Sequence, residues 1–168
     1  EIFEKITRMV ESYEGVVGTH DLIIHNYGPS NRMATIHVEV PNNMNFEKAH
    51  ETIDQIERDA LEKLDIFLVI HMDPIEVDDE AVLEKKNMLL QVIKKIDENA
   101  SIHDFRVVNG EHHINLIFDM VVPHGYNKNQ EQQLRSKIEE EIRKIDERYQ
   151  CVITIENSYI ADKTTRSR

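Results

Sequence analysis

The chain has 168 residues, 9 histidines, one cysteine and a formal net charge of −12. No apolar run approaches the ~20 residues that cross a bilayer, and no basic-then-apolar leader is present, so the chain reads as a soluble piece. A lone Cys151 excludes an internal disulfide and a cysteine zinc cluster, and the acidic balance argues against a nucleic-acid backbone as partner.

The charge is uneven. Residues 1–79 hold 6 Lys/Arg against 17 Asp/Glu, a balance of −11, whereas residues 80–168 hold 14 against 15, a balance of −1. An acidic first half concentrates cations around it.

Residues 1–13 place Ile2, Ile6, Met9, Val10 and Tyr13 at helical spacing, so the chain starts abruptly inside a helix, as a segment cut from a longer protein would. Gly15 and Gly18 break that pattern. A strand is expected over 17–26, a turn over 27–31, and a second strand over 33–40 with Met33, Thr35, His37 and Glu39 on one face. Asn45 is the expected N-cap of a helix over 46–63 that buries Ala49, Ile53, Ile56 and Ala60. A third strand follows, expected to be buried (Phe67-Leu68-Val69-Ile70), ending in His71-Met72-Asp73-Pro74. Residues i and i+2 of a strand share a face, so His71 and Asp73 project together, and Pro74 is expected to stop further pairing.

After an acidic linker over 75–80 the pattern repeats. A helix is expected over 81–96, strands over 102–108 and 113–122 around an Asn109-Gly110-Glu111 turn, a helix over 129–149 and a strand over 151–159. His20-Asp21-Leu22 parallels His103-Asp104-Phe105. Ile36-His37-Val38-Glu39-Val40-Pro41 parallels Phe118-Asp119-Met120-Val121-Val122-Pro123. The expected fold is therefore α+β: two tandem ferredoxin-like αββαβ units, each a three-stranded sheet with helices on one face. Their expected bounds are 1–77 and 80–160, with a polar tail over 161–168.

Four histidines of the first copy stand at informative places. His20 opens its first strand, His37 lies on the outward face of the second, His50 sits near the start of the helix, and His71 with Asp73 closes the third strand. Taken singly, each is most simply a surface residue. Together they are the residue types of a site for a divalent ion, which wants about four N or O ligands. His25 and His124 lie beside turns and His112 in a hairpin, and all three read as surface groups; His113, on the outward face of its strand, is only slightly better placed.

The stretches Gly18-Thr19-His20-Asp21-Leu22, Ile36-His37-Val38-Glu39-Val40, Lys48-Ala49-His50 and Val69-Ile70-His71-Met72-Asp73-Pro74 resemble, in order and spacing, the cytoplasmic C-terminal domain of cation diffusion facilitator metal transporters. The resemblance covers about residues 1–77. It implies a metal site made of His20, His37, His50, His71 and Asp73, often binuclear, with Asp73 the natural bridge. It implies zinc first, with manganese, iron or cobalt also in the family's range. It further implies a cytoplasmic domain of a cell-membrane protein, forming a homodimer attached to the transmembrane domain of the same transporter. In such a dimer, metal closes a V-shaped pair and biases the membrane domain toward transport.

The second copy departs from this pattern. His37 becomes Asp119, the place of His50 falls on Gln132 or Gln133, and His71-x-Asp73 is aligned with Glu156-x-Ser158, so that only His103 is kept. His103, Asp119 and Glu156 as an oxygen-rich site suited to manganese or iron, or a purely structural repeat, remain open alternatives. For the whole chain, the competing reading is a ferredoxin-like small-ligand or interaction module without metal. No HExxH, nucleophile elbow or Gly-rich phosphate loop is present, and no enzyme activity is expected.

Overall fold

The computed structural model describes residues 1–123 and 125–157. His124, the end of the last expected strand and the 161–168 tail lie outside the described residues. The chain separates into two compact units, Glu1–Val77 and Asp78 onward. Among the described residues no helix is long and apolar enough to cross a membrane.

The first unit runs α1 (Ile2–Glu11), β1 (Gly18–Asn26), β2 (Arg32–Pro41), α2 (Phe46–Leu64) and β3 (Ile66–Ile75). Asn45 caps α2 by accepting from the Lys48 backbone N–H at 3.2 Å, and Asp65 ends it in the left-handed conformation. The sheet order is β1-β2-β3, antiparallel between β1 and β2 and parallel between β2 and β3. Ile36, Val38 and Val40 of β2 point into a core with Ile6 and Val10 of α1 and Ile56 and Ala60 of α2. Both helices therefore cover one face of the sheet and leave the other open.

The second unit repeats the plan with α3 (Asp79–Ile96), β4 (Ser101–Val108), β5 (Ile114–Val122), α4 (Lys128–Ile145) and β6 (Tyr149–Asn157), in sheet order β4-β5-β6. Leu116, Phe118 and Met120 face Leu89, Ile93, Leu134, Ile138 and Ile142. The architecture is α+β, two ferredoxin-like αββαβ units in tandem. Cys151 of β6 is half-buried, and burial pushes its thiol up to about 12, which leaves it inert.

Four local expectations are corrected. The run Phe67-Leu68-Val69-Ile70 is not buried throughout: Leu68 is in the core, but Phe67 and Val69 are exposed, because the helices cover only one face of the sheet. Pro74 does not end the third strand: β3 continues to Ile75, with Val40 opposite Pro74 and Pro41 opposite Ile75. As an edge strand, β3 has one side on which a missing N–H costs nothing. The expected linker is shorter than 75–80, since α3 starts at Asp79, capped by the Asp78 carboxylate. The last helix stops at Ile145, and Tyr149 opens β6 opposite Ile114. Its start is fixed by a reciprocal capping box between Asn127 and Gln130.

Candidate metal centre

Register builds the site. His20 pairs with His37 across β1 and β2, and His37 pairs with His71 across β2 and β3. Paired residues share a face, so the three imidazoles form one row across the open face. Strands lie about 4.8 Å apart. The rings accordingly follow at centroid distances of 4.6 Å for His20–His37 and 4.6 Å for His37–His71. The next row along the strands is Gly18, Glu39 and Asp73.

His20 reaches that row only through a β-bulge. Strict alternation would put His20 on the same face as Leu22 and Ile24, which pack against the core. The pairing jumps from His20–His37 to Ile23–Thr35, so three residues of β1 span what two span on β2. Asp21 takes up the extra residue with φ 52°, in the left-handed region that Asp tolerates better than most residues. The bulge turns His20 outward while Leu22 and Ile24 stay inward.

Asp73 is the hub of the row. Its Oδ2 lies 3.2 Å from His20 Nε2 and 3.0 Å from His37 Nδ1, and its Oδ1 lies 3.2 Å from His71 Nε2. Side-chain exposure rises along the row, from 8% at His20 through 36% at His37 to 69% at His71, while Asp73 is 8% exposed. The site is thus closed at β1 and open at β3.

The electrostatics follow from this packing. Burial pulls His20 toward the neutral form, but hydrogen bonds to Asp73 and Glu39 outweigh it and raise its pKa to about 9. For Asp73, burial favours the protonated acid, and hydrogen bonds from His20 and His37 more than reverse this, so its pKa is lowered. At neutral pH the site therefore holds a proton in the place a cation would take.

The donors fit a metal. Ligands about 2.0–2.1 Å from a tetrahedral ion stand roughly 3.3–3.5 Å from one another. The 3.0–3.2 Å contacts of Asp73 with the imidazoles are close to that spacing. Two overlapping groups, His37/His71/Asp73 and His20/Asp21/His37, each bring their ligand atoms within 4.8 Å of one another.

Four of the five residues expected at the site, His20, His37, His71 and Asp73, thus come together. His50 does not join them. It is exposed on α2, the helix that covers the opposite face of the sheet. Two residues were missed. Asp21 enters through the bulge, for which only its repetition at His103-Asp104 gives a sequence hint. Glu39 lies within the fully buried set, with Oε2 3.1 Å from His20 Nδ1. Its place on the face of His37 was readable from alternation, but its burial was not.

In the second unit the parallel alignment is corrected by register. Asp119 pairs with His103 and Thr154, and Val121 pairs with Ser101 and Glu156. Thr154-x-Glu156, not Glu156-x-Ser158, thus occupies the place of His71-x-Asp73, and Val121 that of Glu39. His103 Nε2 stands 3.9 Å from Glu156 Oε2, with both side chains half-exposed. Among the described residues, the groups of three or more ligand atoms found this close all lie in the first unit. His113 precedes β5 and hydrogen bonds Gln150 at 3.2 Å.

Residues 1–75 match the family model described as "Cation efflux protein, cytoplasmic domain". Over 75 residues the chain is 36% identical to the cation-efflux pump FieF of Salmonella newport and, to the same extent, to that of Salmonella typhi; each alignment covers 44% of this chain and 25% of the pump. The chain thus spans a quarter of the length of the curated relatives it matches. A solved structure described as the metal-bound C-terminal domain of the CzcD transporter from Thermotoga maritima aligns with a TM-score of 0.40 and 25% identity, over 44% of this chain and 86% of that one. Over residues 1–75 the chain is thus similar to the cytoplasmic domain of the cation efflux, or cation diffusion facilitator, family.

Proposed function

We propose that the first unit is the metal-responsive, dimerising domain of a divalent-cation efflux transporter, and that its ion is zinc before manganese, iron or cobalt. One observation carries this reading: three imidazoles in a cross-strand row around the Asp73 carboxylate, a donor set rich enough in nitrogen to favour zinc. His20, His37, His71 and Asp73 hold the ion from one chain, with Asp73 the natural bridge where two ions bind. His50, exposed on the helical face, lies outside this gathered set.

Dimerisation has support on the same face. Ile23, Phe67 and Val69 are exposed beside the histidine row and form an apolar strip. The acidic balance of −11 over residues 1–79 makes two such units repel until cations neutralise them. An ion that binds the closed pair better than the open pair shifts the population toward closure. In the assembled protein, closure biases the attached membrane domain toward transport. The reading assigns no catalysis and places the unit on the cytoplasmic side of a cell membrane.

Zinc titration by calorimetry tests it. The expected result is one to two ions taken up per chain, lost in His71→Ala/Asp73→Ala, with solution scattering showing a more compact dimer when zinc is added. A double variant that binds zinc like the parent would refute the site. Unchanged scattering would refute the switch.

A further inference from the structure

We propose that Glu39 is a positioning residue of this centre: its buried carboxylate takes the Nδ1 hydrogen of His20 and thereby aims Nε2 at Asp73 and the metal. The inference rests on the metal-binding reading above and deepens it.

Three observations carry it. The first is burial. Glu39 is 0% exposed, and a carboxylate withdrawn from water persists only where charge or hydrogen bonds compensate. The second is direction. Oε2 stands 3.1 Å from His20 Nδ1, while Nε2 of the same ring stands 3.2 Å from Asp73 Oδ2. The ring is gripped on the nitrogen that faces away from the site and presents the other one to it. A metal-bound imidazole needs that arrangement, because a donor hydrogen bond from the far nitrogen fixes tautomer and ring plane and makes the ligating nitrogen more basic. Gly18 is paired with Glu39 on the adjoining strand, and a Cβ there would stand in ordinary van der Waals contact with Oε2, at 3.4 Å.

The third observation is internal to the molecule. The second unit repeats the backbone, the bulge and the histidine, with His103 followed by Asp104 at φ 54°. Register puts Val121 where Glu39 stands. His103 there is half-exposed, against 8% for His20. The αββαβ fold therefore forms without this carboxylate, and the carboxylate accompanies the unit that gathers three imidazoles.

Two measurements test the inference separately from the metal reading. Ring-nitrogen NMR on metal-free Asp73→Ala, recorded above the titration of His20, removes the competing carboxylate. Nδ1 of His20 is expected to be protonated and Nε2 bare, and adding Glu39→Val is expected to mix the two tautomers. A bare Nδ1 in Asp73→Ala overturns the inference whether or not the protein binds zinc. In zinc titration, Glu39→Val is expected to lose about 10–100-fold in affinity, the range for an outer partner of a ligating histidine. Glu39→Gln, which keeps an acceptor oxygen at the same reach, is expected to recover most of that loss. Zinc affinity in Glu39→Val within twofold of the parent overturns the inference. Should Glu39→Val fail to fold, the Asp73→Ala spectrum and the Glu39→Gln affinity decide the matter. No zinc uptake by the parent condemns the metal reading and leaves the tautomer result to judge Glu39.

Discussion

The two units share a backbone and differ in what one face of it carries. Both run helix, two antiparallel strands, helix and a parallel third strand, and both bulge their first strand at an Asp with φ above 50°. On the first sheet the outward row reads His20, His37, His71; on the second it reads His103, Asp119, Thr154. The adjoining row reads Gly18, Glu39, Asp73 in one and Ser101, Val121, Glu156 in the other. The inward residues are apolar in both. An αββαβ sheet thus asks for its core positions and its bulge, while the open face is free to carry a metal site or none.

The strongest way to break this contrast is to move the site. Asp119→His/Val121→Glu/Thr154→His gives the second sheet the first sheet's residues beside His103 and Glu156. Zinc calorimetry is expected to show an added binding event on top of that of the first unit. If the grafted sheet folds and gains nothing, the open face needs more than register supplies.

Acidity sharpens the contrast next. The folded pKa of His20 is raised to about 9, above its ordinary 6.5. The stabilisation from this ion pair is fully present below about 6.5 and is lost as pH rises through about 9. Asp73, the other half of the pair, has a lowered pKa, so the same stabilisation is present above the ordinary carboxylate range and is lost as pH falls through the lowered value. The metal-free protein is therefore expected to show, in thermal melts, a loss of stability between neutral pH and pH ~9–10 that His20→Ala removes. Zinc affinity is expected to keep rising with pH across that window, because each ion must displace the shared proton. A binding curve already flat above pH ~7, near the ordinary histidine range, would contradict the coupling.

The shared bulge gives a smaller and symmetrical test. Asp21→Ala and Asp104→Ala each put a less tolerant residue at positive φ and are expected to cost about 1 kcal/mol of the stability of their own unit. Denaturant unfolding measures both. Only Asp21→Ala is expected also to weaken zinc binding, since that bulge holds His20 in the proposed site.

The smallest effect lies in the outward row of the second unit, at Asp119. Burial raises the Asp119 pKa, the Arg106 charge opposes this, and Asp104 and Glu156 add to it. An acid with a raised folded pKa contributes stability below its ordinary value and loses it as pH rises through the folded one. Asp119→Asn is accordingly expected to raise the thermal midpoint slightly at neutral pH and to leave it unchanged in acid. A drop at neutral pH would mean that Asp119 has a favourable partner there.

Much of this was legible in the order of residues. Apolar periodicity marks most of the described elements, because burial on one face imposes period 3.6 on helices and period 2 on strands, whereas β3 shows instead as a continuous apolar run. Asn45 announces the start of α2 and is found capping it. The boundaries that failed have local causes: an edge strand that tolerates Pro74, and a short turn that frees Tyr149 to open β6. The His-x-Asp ending of β3 and the outward place of His37 follow from alternation alone.

What alternation could not supply is decided by contacts between strands. The order of residues alone determines the folded units, their repetition and the identity of four of the residues that the first sheet gathers, His20, His37, His71 and Asp73. Only the tertiary structure decided that His20 faces outward, because one bulge reverses the parity of everything before it. Register likewise decided that Thr154, not Glu156, stands where His71 does. Glu39 reads as one more outward polar residue, yet the folded chain buries it fully. Local sequence dictates the pitch of each element. Long-range pairing sets the phase between elements, and the proposed site, which draws His20 and His37 from one strand each and His71 with Asp73 from a third, depends on that phase.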